Sequence, residues 1–192
     1  MNALNCYSYS KLMLLLLATV FFSLPALAEQ KLPFKIPTNP GQLYGSALIE
    51  TTKGPIEIEF YRKEALVTVA NFQYLIKKGF YNNLTFHRYV EGYVLQGGDP
   101  EGNGRGGPSY FLPPEFSSIK HRLGTFGMAR KPDPVNEERL SNGSQFYVTL
   151  DRAEHFDGLY SVFARVINGM ENLLRLREGD RIIKILLPKS NR

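Results

Sequence analysis

The 192-residue chain carries a formal net charge of +5, is 43% hydrophobic, and has one cysteine and no tryptophan. That length suits one domain with a sizeable core, and mild basicity without any Lys/Arg block excludes a nucleic-acid footprint. A single thiol, Cys6, excludes disulfide staples, thiolate metal sets and, once the leader is gone, a cysteine nucleophile.

Residues 1–28 read as a signal peptide. Lys11 supplies a thin positive region, Leu12–Leu24 is apolar apart from Thr19 and Ser23, and Pro25-Ala26-Leu27-Ala28 gives a small-x-small cleavage pattern. The apolar run falls short of the roughly 20 residues that span a bilayer, so cleavage is expected and an uncleaved anchor is the alternative. Cys6 precedes the run, which excludes a lipid-modified cysteine after a cleavage site. An exported protein is expected, in a bacterial periplasm, with no membrane contact after cleavage.

Residues 29–43 carry three prolines and no periodicity and read as an extended arm or linker. Ala47 and Ile49, then Ile56, Ile58 and Phe60, alternate with polar residues as two strands joined at Lys53-Gly54-Pro55. Val69, Phe72 and Ile76 recur at helical spacing and predict a helix over 68–78, with Thr68 as N-cap and Gly79 as its end. Strand-like runs follow at 84–89, 93–96, 124–129, 145–150, 161–166 and 181–187, with a second short helix over 170–177. Many short strands with two helices predict an antiparallel sheet closed into a barrel.

The stretch Phe86 to Asp99 places the always-charged fork of Arg88 beside apolar Tyr93 and Val94 and the two-way amide of Gln96. Such a set can grip an extended peptide and bond one of its amides. A surface arginine is the plainer reading of Arg88 taken alone, and its neighbours shift the balance. Asn142-Gly143-Ser144-Gln145-Phe146-Tyr147 adds a second amide and two aromatic rings. Gly102-Asn103-Gly104-Arg105-Gly106-Gly107 satisfies the spacing of a dinucleotide loop, but Pro108, Pro113 and Pro114 follow, so no helix opens and a tight loop is the better reading. His87, His121 and His155 lack metal-ligand spacing, and His121 reads as structural. If residues 87 and 88 lie in a strand, His87 and Arg88 point opposite ways. Ser144 has no partner motif of a serine hydrolase. Two sequons, Asn83-Leu84-Thr85 and Asn142-Gly143-Ser144, are present, and a glycan on Asn142 would crowd Gln145.

From about Tyr44 to Pro188 the chain resembles the cyclophilins, the barrel-type peptidyl-prolyl cis-trans isomerases. The resemblance rests on Phe86-His87-Arg88, Gly92 and Gln96-Gly97-Gly98-Asp99, and then on Glu115-Phe116, His121, Gly124 and Gly127-Met128-Ala129. Asn142-Gly143-Ser144-Gln145-Phe146, Phe156-Asp157-Gly158 and Val162-Phe163 complete it, in order and at matching spacing. It implies a mainly β, closed eight-stranded antiparallel barrel capped by two α-helices over 44–188, with the site on the outer face and a short tail at 189–192. It places the catalytic arginine at Arg88, the proline pocket at Tyr93, Val94, Gln96, Tyr147, Phe156 and Tyr160, and the peptide-gripping strand at Ala129, Arg130 and Lys131, with Gln145 nearby. Tyr93 and Tyr147 stand where phenylalanine is usual, Val94 for methionine, Tyr160 for histidine and Arg130 for asparagine. His155 stands at the tryptophan of cyclosporin-sensitive members, which implies weak cyclosporin binding, and Tyr160 resembles the bacterial exported branch.

The expected function is isomerisation of X-Pro bonds in exported proteins, assisting their folding, without a cofactor, metal or covalent intermediate. The expected partners are proline-containing unfolded or extended polypeptides, met by a monomer, with no nucleic acid. The alternative is a non-catalytic chaperone that binds proline peptides in the same groove, with Arg130, Lys131 and the polar loop to Ser141 selecting partners.

Overall fold

A computed structural model describes residues 31–188; the leader and the tail at 189–192 lie outside the described residues. In chain order the elements are β1 (Ser46–Thr51), β2 (Gly54–Phe60), α1 (Leu66–Lys77), β3 (Arg88–Val90), β4 (Val94–Gly97), β5 (Phe111–Leu112), β6 (Thr125–Arg130), β7 (Ser141–Thr149), β8 (Val162–Asn168), α2 (Met170–Arg175) and β9 (Ile182–Leu186). Every pairing is antiparallel, and the sheet runs β3-β4-β7-β6-β8-β2-β1-β9, with β5 added on β7.

The expected closed barrel is corrected here: the eight strands of that path curl into an open half-barrel. The two outer strands, β3 and β9, share no ladder. One bridge, Thr85 with Arg181, spans the seam, helped by backbone bonds from Phe86 to Asp180 O at 2.8 Å and from Ile182 to Leu84 O at 2.9 Å. The physical reason is local. The chain arrives at the seam from a left-handed Asn83 (φ 62°) and leaves it at His87, whose N–H turns to Gln96 O. Only one residue pair is in register before each segment takes another partner.

Alternation decides what faces inward. Ala47, Ile49, Ile56, Ile58 and Phe60 of the first hairpin are all under 5% exposed. Phe72 of α1 is the hub of the interior, 4.7 Å from Tyr81, 4.9 Å from Phe163 and 5.7 Å from Phe146 between ring centroids. Leu95, Phe126, Phe146 and Val148 close around it from three strands. The hairpin turn sits one residue earlier than expected, because Thr51 pairs with Gly54 and Thr51 Oγ1 donates to Gly54 O at 2.6 Å.

The first helix begins two residues before the expected Thr68. Ala65 holds the N-cap position and offers no side-chain bond. The missing cap comes from far along the chain: the Glu115 carboxylate accepts from the Val67 and Thr68 N–H groups, each at 2.8 Å. An anion at the positive end of the helix satisfies two of its orphan donors. The prolyl arm packs onto this helix as well, with Phe34 5.7 Å from Tyr74, Leu32 and Leu43 against the core, and Arg62 bonded to Leu43 O at 2.9 Å.

Replacing Glu115 by alanine is expected to cost about 1–2 kcal/mol, the usual effect of removing a helix cap. Urea unfolding reads this directly, and a change within error would mean that α1 is held by packing alone.

Candidate functional site

The site is a row that crosses four strands. Arg88 pairs with Gln96, Gln96 with Tyr147, and Tyr147 with Gly127. Directly opposed residues share a sheet face, so these side chains stand together on the outside, opposite Leu95, Phe126 and Val148. The guanidinium and the aromatic slot therefore lie on the same side of the molecule. Gly127 leaves room for its neighbour: a Cβ there would sit 2.3 Å from Tyr147 Oη.

Val94, Tyr147 and Val162 are each at most 5% exposed, yet they stand apart from the interior cluster. Their apolar surface is buried on the outer face, where Phe156 and Tyr160 pack against Tyr147. The Tyr147 ring is 5.3 Å from Phe156 and 5.6 Å from Tyr160, and the latter two are 4.7 Å apart. Tyr93 and His155 form the rim. Their rings are stacked at 5.5 Å, and Tyr93 Oη lies 2.7 Å from His155 Nε2.

His121, read from sequence as structural, lies buried next to this cluster. Its Nε2 is 2.8 Å from Tyr147 Oη and its Nδ1 is 3.0 Å from Asp157 Oδ1, which also accepts the His121 backbone N–H at 2.8 Å. Burial holds the His121 pKa below its ordinary value despite the carboxylate. It also raises that of the Tyr147 hydroxyl. Both directions fit a neutral imidazole that donates from Nδ1 to Asp157 and accepts from Tyr147 at Nε2. Burial works to raise Asp157, but the His121 N–H groups and Lys120 outweigh it and bring that carboxyl to about 2. Sequence reasoning gave Asp157 no role, because its partner lies 36 positions away.

Arg88 is exposed, and among the described residues no ion pair or hydrogen bond engages its guanidinium. His87 turns the other way and is half-buried; burial lowers its pKa, and neither ring nitrogen has a hydrogen-bond partner among the described residues. Gln96 Nε2 donates to Gln145 Oε1 at 3.0 Å, and Gln145 Nε2 donates to Gly106 O at 2.8 Å, so the protein itself uses both ends of the Gln145 amide. Ala129 lies at a register break in β6, between the pairs Met128–Phe146 and Arg130–Ser141. Lys131 is exposed, whereas the Arg130 side chain is only 5% exposed and is bonded to Asp133. A groove of about 850 Å³, lined by Gln96, Gly106, Phe111, Ala129, Leu140 and Gln145 among others, continues the site along the sheet.

The glycine run wraps a carboxylate. Asp99, 1% exposed, accepts the N–H groups of Glu101, Asn103 and Gly104. Burial acts to raise its pKa, and these bonds together with Gly106 bring it below the ordinary range. The loop's own anion occupies the donors that a phosphate would need. Asn142 is similarly committed, accepting from Ser144 N and Gln145 N at 2.8 Å and donating to Gly106 O at 3.2 Å, so the second sequon is a structural knot.

Comparison with known proteins places these features in a context. Residues 47–185 match the family described as cyclophilin type peptidyl-prolyl cis-trans isomerase/CLD. A peptidyl-prolyl cis-trans isomerase of Synechococcus elongatus is 39% identical over 141 residues, covering 72% of this chain and 93% of the relative. A Helicobacter pylori protein of the same description is 37% identical over 148 residues, covering 75% and 87%. Among solved structures, a Cryptosporidium parvum cyclophilin type peptidyl-prolyl cis-trans isomerase aligns with a TM-score of 0.69 at 28% identity, covering 77% of this chain and 99% of its own. A second structure of it, determined in the presence of the dipeptide Ala-Pro, aligns at 0.67 with 28% identity, covering 76% and 99%.

Because the folded imidazole stays neutral below its ordinary pKa of about 6.5, the unfolded chain takes up a proton first as pH falls. Stability from this site is therefore intact above about pH 7 and is lost as pH drops through about 6.5 towards the depressed native value. Urea unfolding at a series of pH values checks it, with His121→Gln expected to flatten the loss. An equally steep loss in the variant would place the titration at another group, His87 being the other histidine lowered by burial.

Proposed function

The chain belongs to the cyclophilin-type peptidyl-prolyl cis-trans isomerase family and is an isomerase; from that premise we propose that it accelerates rotation about X-Pro bonds in exported proteins, with Arg88 as the catalytic residue. The export and periplasmic parts of this reading rest on the leader sequence alone. The part played by each side chain rests on the shared row of Arg88, Gln96 and Tyr147, which is the observation that carries the proposal.

Rotation about an amide meets a barrier of roughly 18–20 kcal/mol, because twisting removes C–N resonance. At X-Pro the two isomers are nearly balanced in energy but exchange over tens to hundreds of seconds. A catalyst has only to favour the twisted state, in which the nitrogen regains a localised lone pair. The prolyl ring sits against Val94, Tyr147, Phe156 and Tyr160, under the rim of Tyr93 and His155. The flanking backbone lies along Ala129, Arg130 and Lys131 and meets the Gln96 amide, which Gln145 holds from behind. Arg88 is one cross-strand step from Gln96, and its donors have no partner among the described residues. It bonds the imide nitrogen as that nitrogen pyramidalises, an interaction stronger in the twisted state than in either planar one. No bond is made or broken and no cofactor takes part. Support for prolyl-peptide binding comes also from the solved neighbour studied with Ala-Pro.

His155 offers a small, polar ring at the rim, bonded to Tyr93. That is the basis for proposing weak cyclosporin binding.

Arg88→Ala is expected to lower kcat/KM on short X-Pro peptides by about 10²–10³, the range seen when one preorganised donor is removed. The melting temperature should stay within a degree or so, because the guanidinium is exposed and engages no ion pair or hydrogen bond among the described residues. Proline-limited refolding of a client protein should slow in parallel. Turnover close to that of the unaltered protein would remove Arg88 from the catalytic role.

A further inference from the structure

Arg130 was expected to reach for substrate, yet the protein has enclosed it. Its guanidinium lies 4.7 Å from the centroid of Tyr160, the ring that closes one side of the apolar slot. Nε donates to Leu159 O at 3.1 Å, and Nη1 donates to Lys131 O at 3.1 Å and to Asp133 Oδ1 at 2.6 Å. The second Asp133 oxygen accepts from Arg139 Nη2 at 2.8 Å. Arg139 has a positive φ of 54°, unusual for a side chain of its kind, and the turn around it is tied by Asn136, which bonds the backbone at Lys131 and Leu140. One carboxylate therefore joins the 131–140 loop to the wall of the slot through a single guanidinium.

We propose that Asp133 is a positioning residue that masks the Arg130 charge and holds Arg130 over the Tyr160 ring, so that the slot presents a rigid wall with no free guanidinium to peptide. This rests on the reading that the slot takes prolyl peptides. An arginine whose side chain is 5% exposed and lacks a counter-ion holds a partly desolvated cation. Such a cation swings out towards water or draws an anion to itself, including one on the bound chain. With Asp133 in place the cation spends its donors on the loop and on the 159–160 turn, and its face on Tyr160. The loop sets substrate preference in this way without touching the prolyl ring.

The test compares Asp133→Asn with the unaltered protein on two peptides that differ only in Glu or Gln within two residues of the X-Pro bond. In the unaltered protein the ratio of kcat/KM, Glu over Gln, sets the baseline, to which the exposed Arg88 and Lys131 contribute. In the variant KM for the Gln peptide should rise by about threefold to tenfold as the wall loosens, with kcat within about twofold, since Arg88 is untouched. The Glu/Gln ratio should rise about threefold or more at low salt and collapse at about 0.5 M salt, as an unmasked surface charge requires. The double change R130Q/D133N should return the ratio to the baseline. A merely structural loop would lower melting temperature and activity together and leave the ratio unmoved. An unchanged ratio and KM in D133N overturns the proposal, as does a raised Glu/Gln ratio that survives in the double variant, which would place it at Arg139, the other cation that Asp133 answers, or at Arg105 or Lys131. Absence of isomerase turnover in the unaltered protein would instead sink the functional reading beneath it.

Discussion

The aromatic filling of the curled sheet is the constraint on which the site depends. Phe72, Tyr81, Phe126, Phe146 and Phe163 occupy the concave side and leave no room for a register slip. A strand has a period of two, so fixing Phe146 and Val148 inward fixes Tyr147 outward. The same holds for Leu95 and its neighbours Val94 and Gln96. Cross-strand pairing then brings Arg88 alongside. The outer row is a by-product of how the inside packs, and a one-residue slip in β4 or β7 would dismantle the core and the site together.

Around that frame, buried polar groups locate the irregular parts. Asp99 gathers the glycine loop, Asn142 and Gln145 anchor that loop to β7, and Asn71 joins α1 to the same region through Gly143 O at 2.7 Å. Gly106 must lack a side chain because a Cβ there would meet Asp99 Oδ1 at 2.1 Å. Each carboxylate or amide replaces water for several backbone donors at once, which is how a long loop stays ordered without a helix or ladder of its own.

What was legible in the sequence follows the same division. Alternation over residues 47–60 and the helical spacing of Val69, Phe72 and Ile76 report local burial, and those elements lie where their patterns put them to within a few residues. The helix start did not, because its cap is Glu115, some 47 positions away, and no local signal points to it. The half-open seam was equally hidden, since it depends on how 84–86 cross 179–182 and not on either segment alone. At the site, the residue types and order were readable, and the structure brings Arg88, Gln96, Tyr147, Phe156 and Tyr160 to one face. The commitments of those side chains were not readable. Arg130 looks free in sequence and is bonded to Asp133; Gln145 looks like a peptide contact and is used inside the protein.

The tyrosines of the slot show why such commitments come in pairs. A hydroxyl added to a ring on a buried face must find a partner or remain an unpaired polar group, at a cost of about 1–3 kcal/mol. Tyr147 is only 5% exposed, and its hydroxyl meets His121, whose second nitrogen meets Asp157. Tyr93 at the rim meets His155. Tyr160 lies beneath the Arg130 guanidinium, and that cation is answered by Asp133. The three tyrosines are thus each joined to a histidine or arginine of this same chain, and two of those partners are held in turn by an aspartate. Changing Tyr147 to phenylalanine would strand the buried His121 Nε2, so that part of the slot is altered together with its partners. This turns a wall that needs only to be apolar into one with a defined orientation, and it leaves Arg88 as the cation of the row that no ion pair or hydrogen bond engages among the described residues.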